Sequence, residues 1–383
     1  DPNVRLRALR MLAATRYPEA AEPIAALLND PENSIQLEAM RGELNIFLAE
    51  PLAPRRRVAL VFERRGTMRA EDVFDAGPLM VGGQLVPEPV FAGLRGAIRD
   101  ADTRVALEAV YTVGILGPAG VAGEWRGDIA AALIEVLQHP EPDHRVAGLR
   151  AIGRFLGVPG RRASDTSAGL GDAVLQSLDD RNREVRFAAM EALADLRYDR
   201  GVQVMLDRFS SNSGGDEGDA LLGALASIGH SSSSTLFIDL LEHGSTARKR
   251  RAVEGLARTG ESELLTVIDA RLGRETDRAL ALAGAFARAR LAGGPLDPIV
   301  SALMRPEQEE QAFEYLVDLV PVRTRDLAVY ARDPDVVVRG RLAEAVALAG
   351  EPGALPLVEP LVNDSEPGVA DAARRAVAWL QVR

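Results

Sequence analysis

The chain has no cysteine among its 383 residues. Disulfides, thiolate metal sites and a cysteine nucleophile are therefore excluded. Histidine is nearly as scarce: His139, His144, His230 and His243 leave little material for metal ligation or general-base chemistry. Aromatic residues make up 4%, which is low for a compact core but ordinary where alanine and leucine pack helix on helix. No uninterrupted apolar run approaches the ~18 residues a transmembrane helix needs. No secretory signal pattern is visible. There is one lysine, Lys249, in a chain otherwise using arginine, a bias that reflects genomic base composition more than phosphate recognition. The formal net charge of -11 argues against a general nucleic-acid or anionic-membrane surface.

What remains is a chain that is 47% hydrophobic and 26% charged, hence ordered rather than disordered. The length suits two or three ordinary domains or one elongated repeat array. Repetition decides between them. Asp1-Pro2-Asn3-Val4-Arg5 resembles Asp180-Arg181-Asn182-Arg183-Glu184-Val185-Arg186, and both resemble Asp333-Pro334-Asp335-Val336-Val337-Val338-Arg339. Asp364-Ser365-Glu366-Pro367-Gly368-Val369 keeps the frame, with Ala370 in the arginine position. Weaker copies start near Pro31, Asp100, Pro140, Gly214, Gly244, Arg274 and Arg305, giving about eleven units. The first unit lacks its leading helix, so the pattern predicts that the native chain extends upstream, where a targeting signal would lie.

Each unit reads as two helices. A short leucine-rich one, such as Ala20–Leu28, Asp128–Leu137 or Thr235–Leu241, leads into a turn whose Asp or Asn caps a second, longer helix. In the second helix Val185, Ala189 and Leu193 fall on one face, as do Val4, Ala8 and Leu12, and Val369, Ala373 and Val377. A small central alanine lets neighbouring helices approach closely. Gly114, Gly153, Gly229, Gly260 and Gly350 are placed where second helices end.

This set of residues resembles the HEAT repeats, specifically the short class of roughly 30 residues also found in phycobilin lyases. The resemblance covers nearly the whole chain except about residues 50–87. It implies an all-α solenoid of about ten helical pairs over residues 1–383, a binding architecture, and an Asp–Arg ladder between repeats to which Arg5, Arg186 and Arg339 correspond. Fold alone does not give function.

Residues 50–87 break the rhythm. This insertion is basic, with Arg55, Arg56, Arg57, Arg64, Arg65 and Arg69, and carries the large apolar groups Phe62, Phe74, Leu79, Met80 and Leu85. Two apolar triplets around Gly82-Gly83 predict a β-hairpin, because glycine accepts the positive φ of tight hairpin turns. Arg56, Arg57, Phe62, Arg64, Arg65, Phe74, Met80 and Leu85 are therefore the candidate partner contacts, with an acidic protein as the partner that basic residues would steer. The alternative is that the segment folds back over the gap between the second and third repeats. Ser210–Asp219, rich in Ser, Gly and Asp, is expected to be a loop.

Other groups point to no chemistry. His139 and His144 flank a Pro-containing turn without a metal-binding spacing. Ser231–Ser234 lacks the strand–elbow–helix setting of a nucleophile. Gly82-Gly83 and Gly214-Gly215 precede no Gly-Lys-Ser/Thr. Glu307, Glu309 and Glu310 suit a helix start. Arg248-Lys249-Arg250-Arg251 reads as a solvated helix start more than a nucleic-acid contact. The sequence thus predicts a non-catalytic protein–protein scaffold or assembly subunit with no cofactor and no metal, either cytoplasmic or periplasmic. A lyase- or chaperone-like protein holding a small ligand or its carrier, and a nucleic-acid-binding repeat protein, are the alternatives.

Overall fold

The computed structural model describes residues 1–50, 69–119, 125–157, 168–273 and 276–382. Among them are 21 α-helices and no β-strand, only an isolated bridge. Two compact units result: residues 1–156 with 382–383, and residues 157–381. In the first lie α1 (Pro2–Thr15), α2 (Ala21–Ala25), α3 (Asn33–Phe47), α4 (Ala70–Asp75), α5 (Glu88–Ile98), α6 (Thr103–Leu116), α7 (Trp125–Val136) and α8 (Pro142–Leu156). The second holds α9 (Ala168–Gln176), α10 (Arg183–Asp195), α11 (Val202–Ser211), α12 (Gly215–Ile228), α13 (Ser234–His243), α14 (Thr246–Thr259) and α15 (Leu264–Leu272). It continues with α16 (Arg278–Ala292), α17 (Asp297–Ala302), α18 (Glu309–Leu327), α19 (Val336–Ala349), α20 (Leu355–Val358) and α21 (Pro367–Val382).

Short and long helices alternate because the turn chemistry repeats. Asp102, Asn182, Asp277 and Asp335 each accept a backbone N–H from the first turn of the long helix that follows. One such cap contributes about 1 kcal/mol. Two residues earlier, Asp100, Asp180 and Asp333 accept the cap residue's own N–H and so fix the turn. The ladder reads out in three chemistries. Arg5 grips Asp30 and Arg339 grips Asp364, each through two bonds of 2.7 and 2.9 Å. Arg186 reaches Glu217 instead at 3.2 Å, and Gln36 replaces the cation altogether, donating to Asp100 at 2.9 Å.

Long helices stack on one another in chain order: α1, α3, α6 and α8 in the first unit, and α10, α12, α14, α16, α18 and α19 in the second. Val185, Ala189 and Leu193 are fully buried on the stacking face of α10. On α1 the matching edge is open, with Val4 64% and Met11 74% exposed. Ala189→Leu is expected to lower stability by about 1–3 kcal/mol through overpacking. An unchanged melting temperature would show that this face tolerates bulk.

Three sequence expectations need correction. Gly114 and Gly153 do not end helices; both are buried inside α6 and α8. At Gly114 a Cβ would sit 2.7 Å from Phe74 and 3.1 Å from the Ala151 backbone, so this glycine permits close helix approach. Gly114→Ala should therefore cost about 1–3 kcal/mol, read as a lowered denaturation midpoint. Gly229, Gly260 and Gly350 do close long helices in the left-handed region. Second, most of Ser210–Asp219 is helix, since α11 runs to Ser211 and α12 starts at Gly215. Third, there is no hairpin around Gly82-Gly83. Leu79 and Met80 lie in a 3-10 turn, and Val81 pairs antiparallel with Leu48. The reason is the end of α3, whose last carbonyls lack helical partners. Gly82 N–H donates to Phe47 O at 2.7 Å, and Ala49 N–H to Met80 O at 2.8 Å.

Candidate functional site

Arg56, Arg57, Phe62, Arg64 and Arg65 lie outside the described residues. From residue 69 onward the inserted segment returns to the repeats. Arg69 N–H donates to Asp72 Oδ2 at 3.0 Å, starting α4, and Ala70 N–H donates to Glu108 of α6 at 2.8 Å. Phe74 is buried. Its ring packs edge-on against Tyr111 at 5.4 Å, and the Arg154 guanidinium sits 3.6 Å above it. Arg154 also donates to the Phe74 carbonyl, and Arg150 to Asp75. Burial, then the Glu71 carboxylate, pushes the Tyr111 hydroxyl up to about 12. Phe74 is thus held in the core of the first unit, out of a partner's reach. Met80 is half-buried, and Leu85 is 52% exposed.

His139 and His144 stack face to face at 4.0 Å. Stacked rings send their in-plane lone pairs side by side, which does not converge on one ion. Among the described residues no cluster of three His, Asp or Glu side chains is placed to hold a metal. Ser233 is fully buried in a 3-10 turn and unreachable by a substrate. The cation run opens α14 and is used internally: Arg248 pairs with Asp219, while Arg250 and Arg251 both face Glu254.

The densest polar feature was not foreseen. Glu254, Arg258 and Asp318 are buried in the second unit. Tyr315 of α18 donates to Glu254 of α14 at 2.6 Å, and its ring stacks on Phe286 of α16 at 4.3 Å. Arg258 of α14 donates to Asp318 of α18 at 2.7 Å. Arg197, which follows α10, donates to the other oxygen of Asp318. Arg290 of α16 donates to the Asp318 backbone carbonyl at 2.8 Å. Burial disfavours the Asp318 carboxylate, but the Arg258, Arg197 and Arg290 guanidinium groups outweigh it and hold the carboxyl down to about 2. Burial lowers Arg290 against the pull of Asp318.

These arginines form a second ladder. Arg258 donates to Ala226 O, Arg290 to Ala257 O and Arg323 to Ala289 O, each in the last turn of the preceding long helix. Cations there satisfy orphan carbonyls and complement the helix dipole. The signal was present as an arginine recurring once per repeat near the helix end. It was masked by the high arginine content. Arg197 has φ 47, in the left-handed region that glycine fills after α12, α14, α16 and α19. That conformation costs an arginine about 1–2 kcal/mol.

Residues 130–216 match the family model of the HEAT repeats, a stretch running from α7 into α12. The search of curated proteins found no match. Among solved structures, an engineered protein is 18% identical over 94% of this chain and 98% of its own, with a TM-score of 0.43. A chain from work on a phosphorylation switch in the cadherin–beta-catenin interaction is 13% identical over 100% of this chain and 98% of its own, with a TM-score of 0.40. Residues 130–216 are thus similar in sequence to the HEAT repeats, and the turn-capped helix pairs with their stacked long helices show a helical-repeat fold.

Proposed function

We propose that the chain is a non-catalytic scaffold that binds another protein, with residues 80–87 at the rim of the docking surface. The observation that carries this is Leu85, a large apolar side chain left exposed on an inserted segment that is tied back to α3 and α6. A helical array needs no insertion to stack, and segments added to one face are where repeat proteins place binding. The basic insertion on a chain of net charge -11 favours an acidic partner. Among the described residues no helix is long and apolar enough to cross a membrane. The test begins with capture of partners from the source organism, followed by titration of the purified candidate. Leu85→Asp should weaken its binding at least tenfold, and added salt should weaken it further. Val204→Asp, on α11, should leave the affinity unchanged. Full affinity in Leu85→Asp would remove this surface from consideration.

A further inference from the structure

We infer that Arg197 and Asp318 form a clamp that locks the long helices from α10 to α18 into one cooperative block of fixed curvature. In a helical-repeat array each repeat touches its neighbours, and an opening travels along the chain from repeat to repeat. The clamp bypasses that order. Arg197 follows α10 and Asp318 lies in α18, with α12, α14 and α16 stacked between them. Their side chains nonetheless meet directly, at 11% and 6% exposure.

Two independent features support a dedicated contact. Arg197 holds a left-handed backbone conformation that glycine fills after α12, α14, α16 and α19, so the position keeps an arginine against its backbone preference. Asp318 sits just before the break in α18, where Pro321 removes an N–H and Arg323 leaves helical geometry. Its carboxylate is shared between Arg197 and Arg258, so the contact reaches both the distant helix and the nearer one.

The absence of cysteine allows a direct test, since two introduced cysteines are the only thiols. Glu191→Cys on α10 and Glu310→Cys on α18 place spin labels at exposed positions. The labelled chain should give one narrow distance distribution. Adding Arg197→Gln should lengthen it and at least double its width, whereas Arg183→Gln, which removes an exposed pair with Asp216, should not. A distribution unchanged by Arg197→Gln would overturn the clamp. Native-state hydrogen exchange on the unaltered chain gives a reading independent of any variant. The last turn of α10 and the Asp318 region of α18 should open with a common free energy. Separate, unrelated opening free energies would overturn the proposal as well.

Discussion

Asp318→Ala is expected to lower the free energy of unfolding of the second unit by about 3–5 kcal/mol, the usual cost of removing one partner from a buried ion pair. The size follows from what is left behind. Arg258 is almost fully enclosed, and Arg197 is nearly so. Without the carboxylate, these guanidinium groups face one another across a space with little water to screen them. The remaining partners are weaker: Ala226 O for Arg258 and Ala257 O for Arg290 carry only partial charge, and the Glu314 carboxylate, half exposed, stands 3.8 Å from Arg258. Asp318→Asn should fall between, because it keeps an acceptor oxygen and loses the charge. Acid should reproduce part of the effect. The Asp318 carboxyl is depressed in the folded chain, so its contribution is fully present above the unfolded carboxylate range near 3.8 and is lost as the pH falls towards about 2. Urea denaturation of both variants, repeated at pH 7 and pH 3, checks each step. A loss under 1 kcal/mol in Asp318→Ala would mean that the arginines find other partners.

The repeat itself was legible because its determinants are local. A cap lies within three residues of the N–H it satisfies, and a stacking face needs only the spacing of Val185, Ala189 and Leu193. The Asp–Arg ladder was legible where both letters appear, at Arg5 and Arg339, and hidden where Gln36 makes the same step with a neutral amide. Long-range chemistry was not legible. Arg197 and Asp318 are 121 positions apart, and no spacing rule connects them. The hairpin failed for a related reason. Gly82-Gly83 carries the local turn signal, but the unpaired carbonyl of Phe47, far back in the chain, offered Gly82 N–H a partner that a self-contained hairpin would have left unused. Gly114 shows the same limit. A glycine near the end of a helical pattern reads as a stop, whereas here the ring of Phe74 occupies the space a side chain would need. The candidate partner residues divide the same way. Phe74 reads as an accessible apolar group until α6 and α8 enclose it, and Leu85 keeps its exposure because nothing described packs over it.

Replacing Glu43 is expected to stabilise the protein. Glu43 lies in α3 with no exposed surface, and among the described residues neither carboxyl oxygen has a hydrogen-bond partner. Burial alone pushes its ionisation well above the ordinary glutamate range, with no neighbouring charge contributing. A buried polar group without partners costs about 1–3 kcal/mol, and an apolar residue of similar shape removes that cost. Glu43→Met is therefore expected to gain about 2 kcal/mol at pH 7, more than most single surface changes provide. The pH dependence distinguishes this cause from better packing. A carboxyl raised in the folded state leaves stability intact below its unfolded value near 4.5, and stability then falls as the pH rises, because the unfolded chain releases the proton first. Glu43→Met should remove that decline, so its advantage over the parent grows between pH 4 and pH 7. Glu43→Gln should flatten the same profile with a smaller gain, since its amide still lacks partners. Equal advantages at pH 4 and pH 7 would assign the gain to packing and leave the buried acid without effect.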